Sequence, residues 1–232
     1  MKLALRQNLT QQLTHTLGIS IVKGLYPIGE GLPSEADICL EHEVSRSSTR
    51  EAVKMLSAKG LIASRPKQGI RVLPESSWNM FDTDVLMWIL NSKPSLSLLK
   101  EFTQLRLAIE PQAAALASTN ATCEQLERIE KALARIIDAD QGLDDPLEAD
   151  IAFHTSILAA SGNRFFVQLS EFVSTALKVR VRYSNKVQGE INIDIEVYTY
   201  ILNTIKSRNS EKARNAFTGI FDKELALIDT QL

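Results

Sequence analysis

Apolar side chains at Leu9, Leu13, Leu17, Ile21 and Leu25 recur every four residues, a stripe that predicts a helix from about residue 5 to 23, stopped at Gly24. After a turn-rich connection through Pro27 and Gly29, Pro33-Ser34 opens a second helix, with Asp37 as a capping partner of Ser34. Ile38 and Leu40 are expected to face inward, and Glu41-His42-Glu43 ends the helix. A third helix begins within residues 45–48, where Ser45 is a good N-cap and Ser48 with Glu51 offers a second capping register; it runs to about Lys59, and Gly60 stops it. Thr49, Ala52, Val53 and Leu56 fall on its inner face, and Arg46, Ser47, Arg50 and Lys54 fall outside. Residues 61–64 and 70–73 read as short strands around Arg65-Pro66-Lys67-Gln68-Gly69, a small wing.

Residues 74–77 read as a linker, followed by an amphipathic stretch that is helical from about Asp82. Trp78 and Trp88, the chain's two tryptophans, are expected to pack between two domains. From residue 95 onward the periodicity is helical throughout, with helices expected over 95–118, 122–139, 146–160, 164–186, 193–207 and 210–228. Asn120, Gly142, Gly162-Asn163, Gly189 and Asn209 punctuate them. The fold class is therefore mainly α. A helix-turn-helix with a wing occupies 1–75, a linker and connecting helix 76–94, and an all-α helical bundle 95–232.

Composition adds little: 44% hydrophobic residues over 232 positions is ordinary for two globular domains. Cys39 and Cys123 lie far apart, without disulfide-framework or zinc spacing, and fit a reducing compartment. Arg6, Gln7 and Asn8 interrupt the N-terminal apolar run before it reaches signal-peptide length, and no run approaches a membrane span, so a cytoplasmic protein without a membrane partner is expected.

Charge changes the picture more. Residues 44–72 carry seven basic side chains (Arg46, Arg50, Lys54, Lys59, Arg65, Lys67, Arg71) against Glu51 alone, in a chain of net charge -2. A helix with a basic, hydroxylated first turn suits DNA: arginine forks onto guanine edges, and serine hydroxyls and helix-start amides hold phosphates. Arg65 and Lys67 at the wing tip suit a phosphate or a narrow minor groove.

Gly31-Leu32-Pro33-Ser34-Glu35, Val44-Ser45-Arg46, Arg50-Glu51-Ala52, Leu56, Gly60-Leu61 and Gly69 together resemble the winged helix-turn-helix signature of the GntR family of bacterial transcription regulators. The Trp88 segment, with Asp82, Asp84, Val85 and Leu86, resembles the family's FadR-like branch, in particular repressors of sugar-acid operons of the galactonate type. The resemblance implies an operator-binding set of Ser34, Ser45, Arg46, Ser47, Ser48, Arg50, Arg65, Lys67, Gln68 and Gly69. In that branch an arginine often follows the Glu35 position and contacts DNA; here Ala36 stands there, which leaves more of the task to Arg46, Arg50 and the wing.

In the body, Asp150 and His154 are four residues apart on one predicted helix and share a face, which fits either an intrahelical hydrogen bond or a shared ligand. Asp150, Phe153-His154, the Ser161-Gly162-Asn163 step and Arg106 with Glu110 resemble the branch's ligand-binding domain. Many of its members add two histidines and bind a divalent metal that helps hold a carboxylate. Alignment on apolar positions puts Tyr198 and Ile220 in their places, so the histidine set is incomplete, no cofactor is expected, and only a weak Asp150/His154 metal site could persist. Arg106 is then the expected anion clamp, with Asp150, His154 and Tyr198 completing the effector site; Arg180 and Arg182 flank it as solvated charges.

These features imply a homodimeric transcriptional regulator, not an enzyme: a repressor released from a palindromic double-stranded operator by a small organic acid such as a sugar acid. Two alternatives stand beside it, a metal-dependent enzyme using Asp150 and His154, and an architectural DNA-binding protein without an effector.

Overall fold

The computed structural model describes residues 9–65, 68–92, 95–187 and 194–231, with side chains for all of these except 179–187. Lys67, Gly189 and the side chains of Arg180 and Arg182 lie outside the described residues. The chain divides into two compact units, Met1–Pro94 and Ser95–Leu232.

In the first unit, α1 (Leu9–Val22), α2 (Glu35–Glu41) and α3 (Arg46–Ala58) precede a hairpin of β1 (Ile62–Arg65) and β2 (Gly69–Val72), and α4 (Thr83–Ser92) closes it. Leu13, Leu17 and Ile21 are buried, but Leu9 and Leu25 at the ends of the stripe are exposed. A strict four-residue repeat precesses by about 40° per step on a 3.6-residue helix, so it cannot keep one face for five repeats. Leu40, expected inside, is 79% exposed. It lies two residues from the buried Ile38, about 200° around the helix, and the short α2 has one inner face only.

The hairpin pairs Ile62 with Val72 and Arg65 with Gly69, one residue later in β1 and one earlier in β2 than expected. A piece of chain the sequence pattern did not reveal adds to it: Gly29 N donates to Val72 O, Val72 N to Glu30 O and Leu32 N to Ile70 O, at 2.9–3.0 Å. The wing is thus anchored at its base by the loop before α2.

Trp78 and Trp88 both belong to the core of this unit, with Leu17, Ile21, Leu56 and Val72, which corrects the expectation that they pack between domains. Trp78 Nε1 donates to Leu73 O (3.1 Å), and Trp88 Nε1 donates to Nδ1 of the exposed His15 (2.8 Å). Gly18 on α1 makes room for Trp88; a Cβ there would stand 2.3 Å from the ring. Gly60 ends α3 at φ 78°, and a Cβ on it would meet Ser77 O at 2.1 Å. Both glycines are required by close approach.

The second unit holds α5 (Leu96–Asn120), α6 (Cys123–Asp140), α7 (Pro146–Ala160), α8 (Arg164–Gln168), α9 (Ser170–Val187), α10 (Ile195–Lys206) and α11 (Ser210–Asp229). Five of the six expected starts carry a cap, Ser95, Thr122, Asp145, Asn163 and Asn209 each accepting a bond from a first-turn amide; the sixth, at residue 193, lies outside the described residues, and α10 is capped by Asp194. The single helix expected over 164–186 is two, because Leu169 N bonds Phe166 O and tightens the chain into a turn. No glycine or proline marks that break. The long α5 packs along α11 and against α7, α9 and α10.

Candidate nucleic-acid interface and effector site

The helix-turn-helix presents its polar face as the sequence pattern implies. Ser45 caps α3, accepting from Ser48 N at 3.1 Å, and its hydroxyl lies 2.9 Å from those of Ser47 and Ser48. Thr49, Ala52, Val53 and Leu56 are buried, which turns Arg46, Ser47 and Arg50 outward at the start of the helix. Arg50 Nε stands 3.4 Å from Glu35 of α2, an exposed contact that costs little to exchange for a nucleic-acid partner. Ser34 caps α2 through a complete box with Asp37.

Not every base in this run faces outward for DNA. Lys59 Nζ binds both oxygens of Asp82 at 2.7 Å and Asp84 at 2.9 Å. Partial burial works against its charge, but the hydrogen bonds it donates to the two carboxylates, with their negative charge, outweigh that and raise its pKa. Asp82 Oδ1 in turn accepts the amides of Asp84 and Val85, so Lys59 fastens the start of α4 to the end of α3. Arg71 Nη1 donates to Gly29 O and stiffens the base of the wing. Lys54 pairs with Glu51. Of the counted surplus within the described residues, Arg46, Arg50 and Lys54 on the reading helix and Arg65 and Arg71 in the wing are exposed, and Lys59 is the one drawn partly inward. Gln68 is exposed in the wing turn, and Gly69 takes the left-handed conformation (φ 76°) that the turn needs.

In the body, the sequence-predicted residues converge. Arg106 and Glu110 on α5, Asp150 and His154 on α7 and Tyr198 on α10 are all buried. Arg106 Nε donates to Glu110 Oε1 at 2.5 Å and Nη2 to Oε2 at 3.4 Å. His154 Nδ1 contacts Glu110 Oε2, and its Nε2 lies 3.3 Å from Asp150 Oδ1, which accepts the Tyr198 hydroxyl at 2.6 Å. Phe217 and Phe221 of α11 complete the surround: Phe217 meets the His154 ring edge-on at 5.5 Å, and the Arg106 guanidinium stands 4.9 Å from the Phe221 ring centre.

Glu110 figures in the resemblance to the ligand-binding domain but not among the expected effector residues, and the structure brings it into their cluster, four residues after Arg106 on one helix. It alters the reading of Arg106, whose Nε/Nη2 edge it occupies. Burial alone would raise the Glu110 pKa; the Arg106 charge, helped by His154, overrides this and holds it at about 2. Burial opposes a charged His154, but Glu110 and then Asp150 outweigh it and raise its pKa.

The same arrangement bears on the metal that the resemblance implies for many members. Glu110 and Asp150 address opposite nitrogens of one ring, so they cannot share an ion with it. Arg106 Nη2 lies 3.2 and 3.5 Å from the two ring nitrogens, where it would repel one. Among the described residues no three His, Cys, Asp or Glu side chains converge as metal ligands would. Tyr198, in one expected histidine place, serves Asp150, and Phe217 and Phe221 rather than Ile220 face His154 from α11. The residues present do not fit a divalent metal.

Comparison with known proteins agrees with both units. Residues 9–72 match the model of bacterial regulatory proteins of the gntR family, and residues 101–223 match the FCD domain. The galactonate operon transcriptional repressor of Escherichia coli K12 is 38% identical over 168 residues, 72% of this chain and 73% of the relative. The HTH-type transcriptional regulator YieP of the same organism, itself uncharacterized, is 32% identical over 217 residues, 93% of each chain. The solved structure of Lar, described as controlling the Listeria monocytogenes agr system, shares the fold at TM-score 0.60 and 18% identity over 97% of this chain and 98% of its own. A Streptococcus agalactiae GntR protein does so at 0.52 and 23%, over 94% and 99%. No helix among the described residues is long and apolar enough to cross a membrane. The chain therefore belongs to the gntR family of bacterial regulatory proteins, with an FCD domain behind its helix-turn-helix, and is a DNA-binding transcriptional regulator, not an enzyme.

Proposed function

We propose that the protein is a cytoplasmic, homodimeric repressor that leaves a palindromic operator when a small organic acid enters its helical body. Two copies would place two α3 helices on successive major-groove half-sites. Arg46 and Arg50 would read bases, with Ser34, Ser45, Ser47 and Ser48 on the backbone and the wing residues Arg65, Lys67, Gln68 and Gly69 beside them. The residue boundaries of this division of labour are 1–75 for DNA, 76–94 for connection and 95–232 for effector and dimer.

The observation that carries the effector half is the buried row of Arg106, Glu110, His154, Asp150 and Tyr198. A bundle built only to dimerise or to shape DNA gains nothing from five ionisable groups that must be desolvated. Arg106, with His154, Asp150 and Tyr198 as hydrogen-bonding partners, is the site for the effector's carboxylate, which must compete with Glu110 for the guanidinium. The sugar-acid class comes from the galactonate operon repressor among the relatives.

The test is operator release. Fluorescence anisotropy of labelled operator, titrated with galactonate and related aldonates, should show release of the wild-type protein. Arg106→Lys, which keeps the charge but loses the fork, should bind operator normally and lose the response at least tenfold. Normal release of that variant would overturn the assignment.

A further inference from the structure

We infer that Glu35 is a positioning residue for operator reading: from α2 it holds Nε of Arg50 and so presents the other edge of that guanidinium, Nη1 with Nη2, as the pair that forks onto a guanine. Arg50 Nε stands 3.4 Å from Glu35 Oε2, fifteen residues back in the chain and on the neighbouring helix. Among the described residues the Arg50 side chain makes no other hydrogen bond or ion pair. The role given to Glu35 rests on the reading that Arg50 contacts a base.

The two helices are fixed against each other beside this pair. Glu35 and Cys39 are four residues apart on α2 and share the face toward α3. Cys39 Sγ lies 3.1 Å from Oγ1 of the buried Thr49, the residue before Arg50. Ile38, between them, belongs to the core that also holds Ala52 and Val53 of α3. The other acids nearby are engaged elsewhere: Asp37 closes the capping box with Ser34 inside its own helix, and Glu51 holds Lys54 at 2.7 Å. Glu35 is therefore the acid that α2 sets against Arg50.

A guanidinium has two edges that can make paired hydrogen bonds, Nε with one Nη and the two Nη together. A carboxylate on Nε leaves the second edge for guanine O6 and N7. It also narrows the rotamers of a long side chain before DNA arrives, so less freedom is lost on docking. Arg50 is 70% exposed, and in water such a contact is weak. It need not be given up on the operator, because it lies on the edge that the base does not use, and it strengthens as the duplex excludes solvent.

The test is a double-mutant cycle in the full chain, read as the ratio of operator to reference-duplex affinity at one salt concentration. The operator probe is the duplex that the wild-type protein enriches from a random-sequence pool, and the reference is a scrambled duplex of the same length. If Glu35 acts through its charge alone, Glu35→Gln removes an acid from the DNA-facing side, tightens both duplexes alike and leaves the ratio unchanged. A positioning role makes the ratio fall, by about threefold to tenfold. In an Arg50→Ala background the same substitution should then leave the ratio where Arg50→Ala alone puts it. A ratio unchanged by Glu35→Gln, or lowered as much without Arg50 as with it, overturns the inference; a loss of folded protein weakens both duplexes equally and cancels. Arg50→Ala with an intact ratio would sink the base-reading role of Arg50 and that of Glu35 with it, whereas a loss in Arg50→Ala without one in Glu35→Gln sinks the role of Glu35 alone.

Discussion

Arg106 and Glu110, one turn apart on α5, form an ion pair at 2.5 Å while only 2% and 1% exposed. Such a pair adds little net stability over an apolar substitute, because desolvation offsets its attraction. Its members are nonetheless interdependent, since either one left alone is a buried unpaired charge. Glu110 links this pair to His154 on α7, so the α5–α7 contact depends on charge as well as on packing.

Breaking the pair from one side should be costly. Glu110→Gln is expected to lower unfolding stability by about 3 kcal/mol or more, and Arg106→Met similarly. The double variant should cost less than the sum of the two, because it leaves no orphaned charge at this pair. Urea unfolding of the three variants measures it, and additive losses would contradict the coupling.

The pH dependence has two limbs. Glu110 falls from 4.5 to about 2 on folding, so its contribution, on the order of 3 kcal/mol as an upper bound, is present above pH 4.5 and is lost as pH falls toward 2. The His154 pKa is raised from 6.5, so its contribution is complete below pH 6.5 and is lost as pH rises through the folded value. Stability from this cluster should therefore be greatest between about pH 4.5 and 6.5. Chemical denaturation across pH should show the alkaline decline in the wild type and lose it in His154→Gln.

On the DNA side, Arg46→Ala and Arg50→Ala should each weaken operator binding by about 1–3 kcal/mol where the arginine reads a base. Arg65→Ala should weaken operator and random DNA alike and reduce the salt slope by roughly one. Titrations at several salt concentrations separate the two behaviours, and unchanged operator affinity in both α3 variants would remove that helix from the reading role.

Gly18→Ala drives a methyl into the Trp88 ring, and Gly60→Ala meets a carbonyl oxygen at a left-handed backbone position. Each should cost about 2–4 kcal/mol in the first unit. Lys59→Met should loosen α4 with a smaller loss, because Asp82 still caps the helix. Tryptophan fluorescence reports these changes directly, since Trp78 and Trp88 both lie in this core.

The amino-acid sequence by itself determined most elements of both units, though not the break between α8 and α9, and the polar face of α3. Helix caps at Ser34, Ser45, Ser95 and Thr122 are local hydrogen bonds, and the inner face of α3 follows from helical period, so neither needs a partner to be read. It also brought Asp150 to the same face as His154, because i,i+4 spacing is a property of one helix. Tertiary packing decided the rest. Lys59 counted toward the positive charge of residues 44–72, and only folding brought Asp82 and Asp84, more than twenty residues away, onto it. Trp88 needed Gly18 and His15 on α1 to fix its place in the first core. Arg106 was expected to clamp an anion; its pairing with Glu110 is a property of α5 alone, but only the meeting of α5 and α7 showed the His154 ring lying between Glu110 and Asp150. Charge is legible in a sequence, but which charges neutralise one another depends on approaches of a few ångströms between distant segments, and composition does not encode those distances.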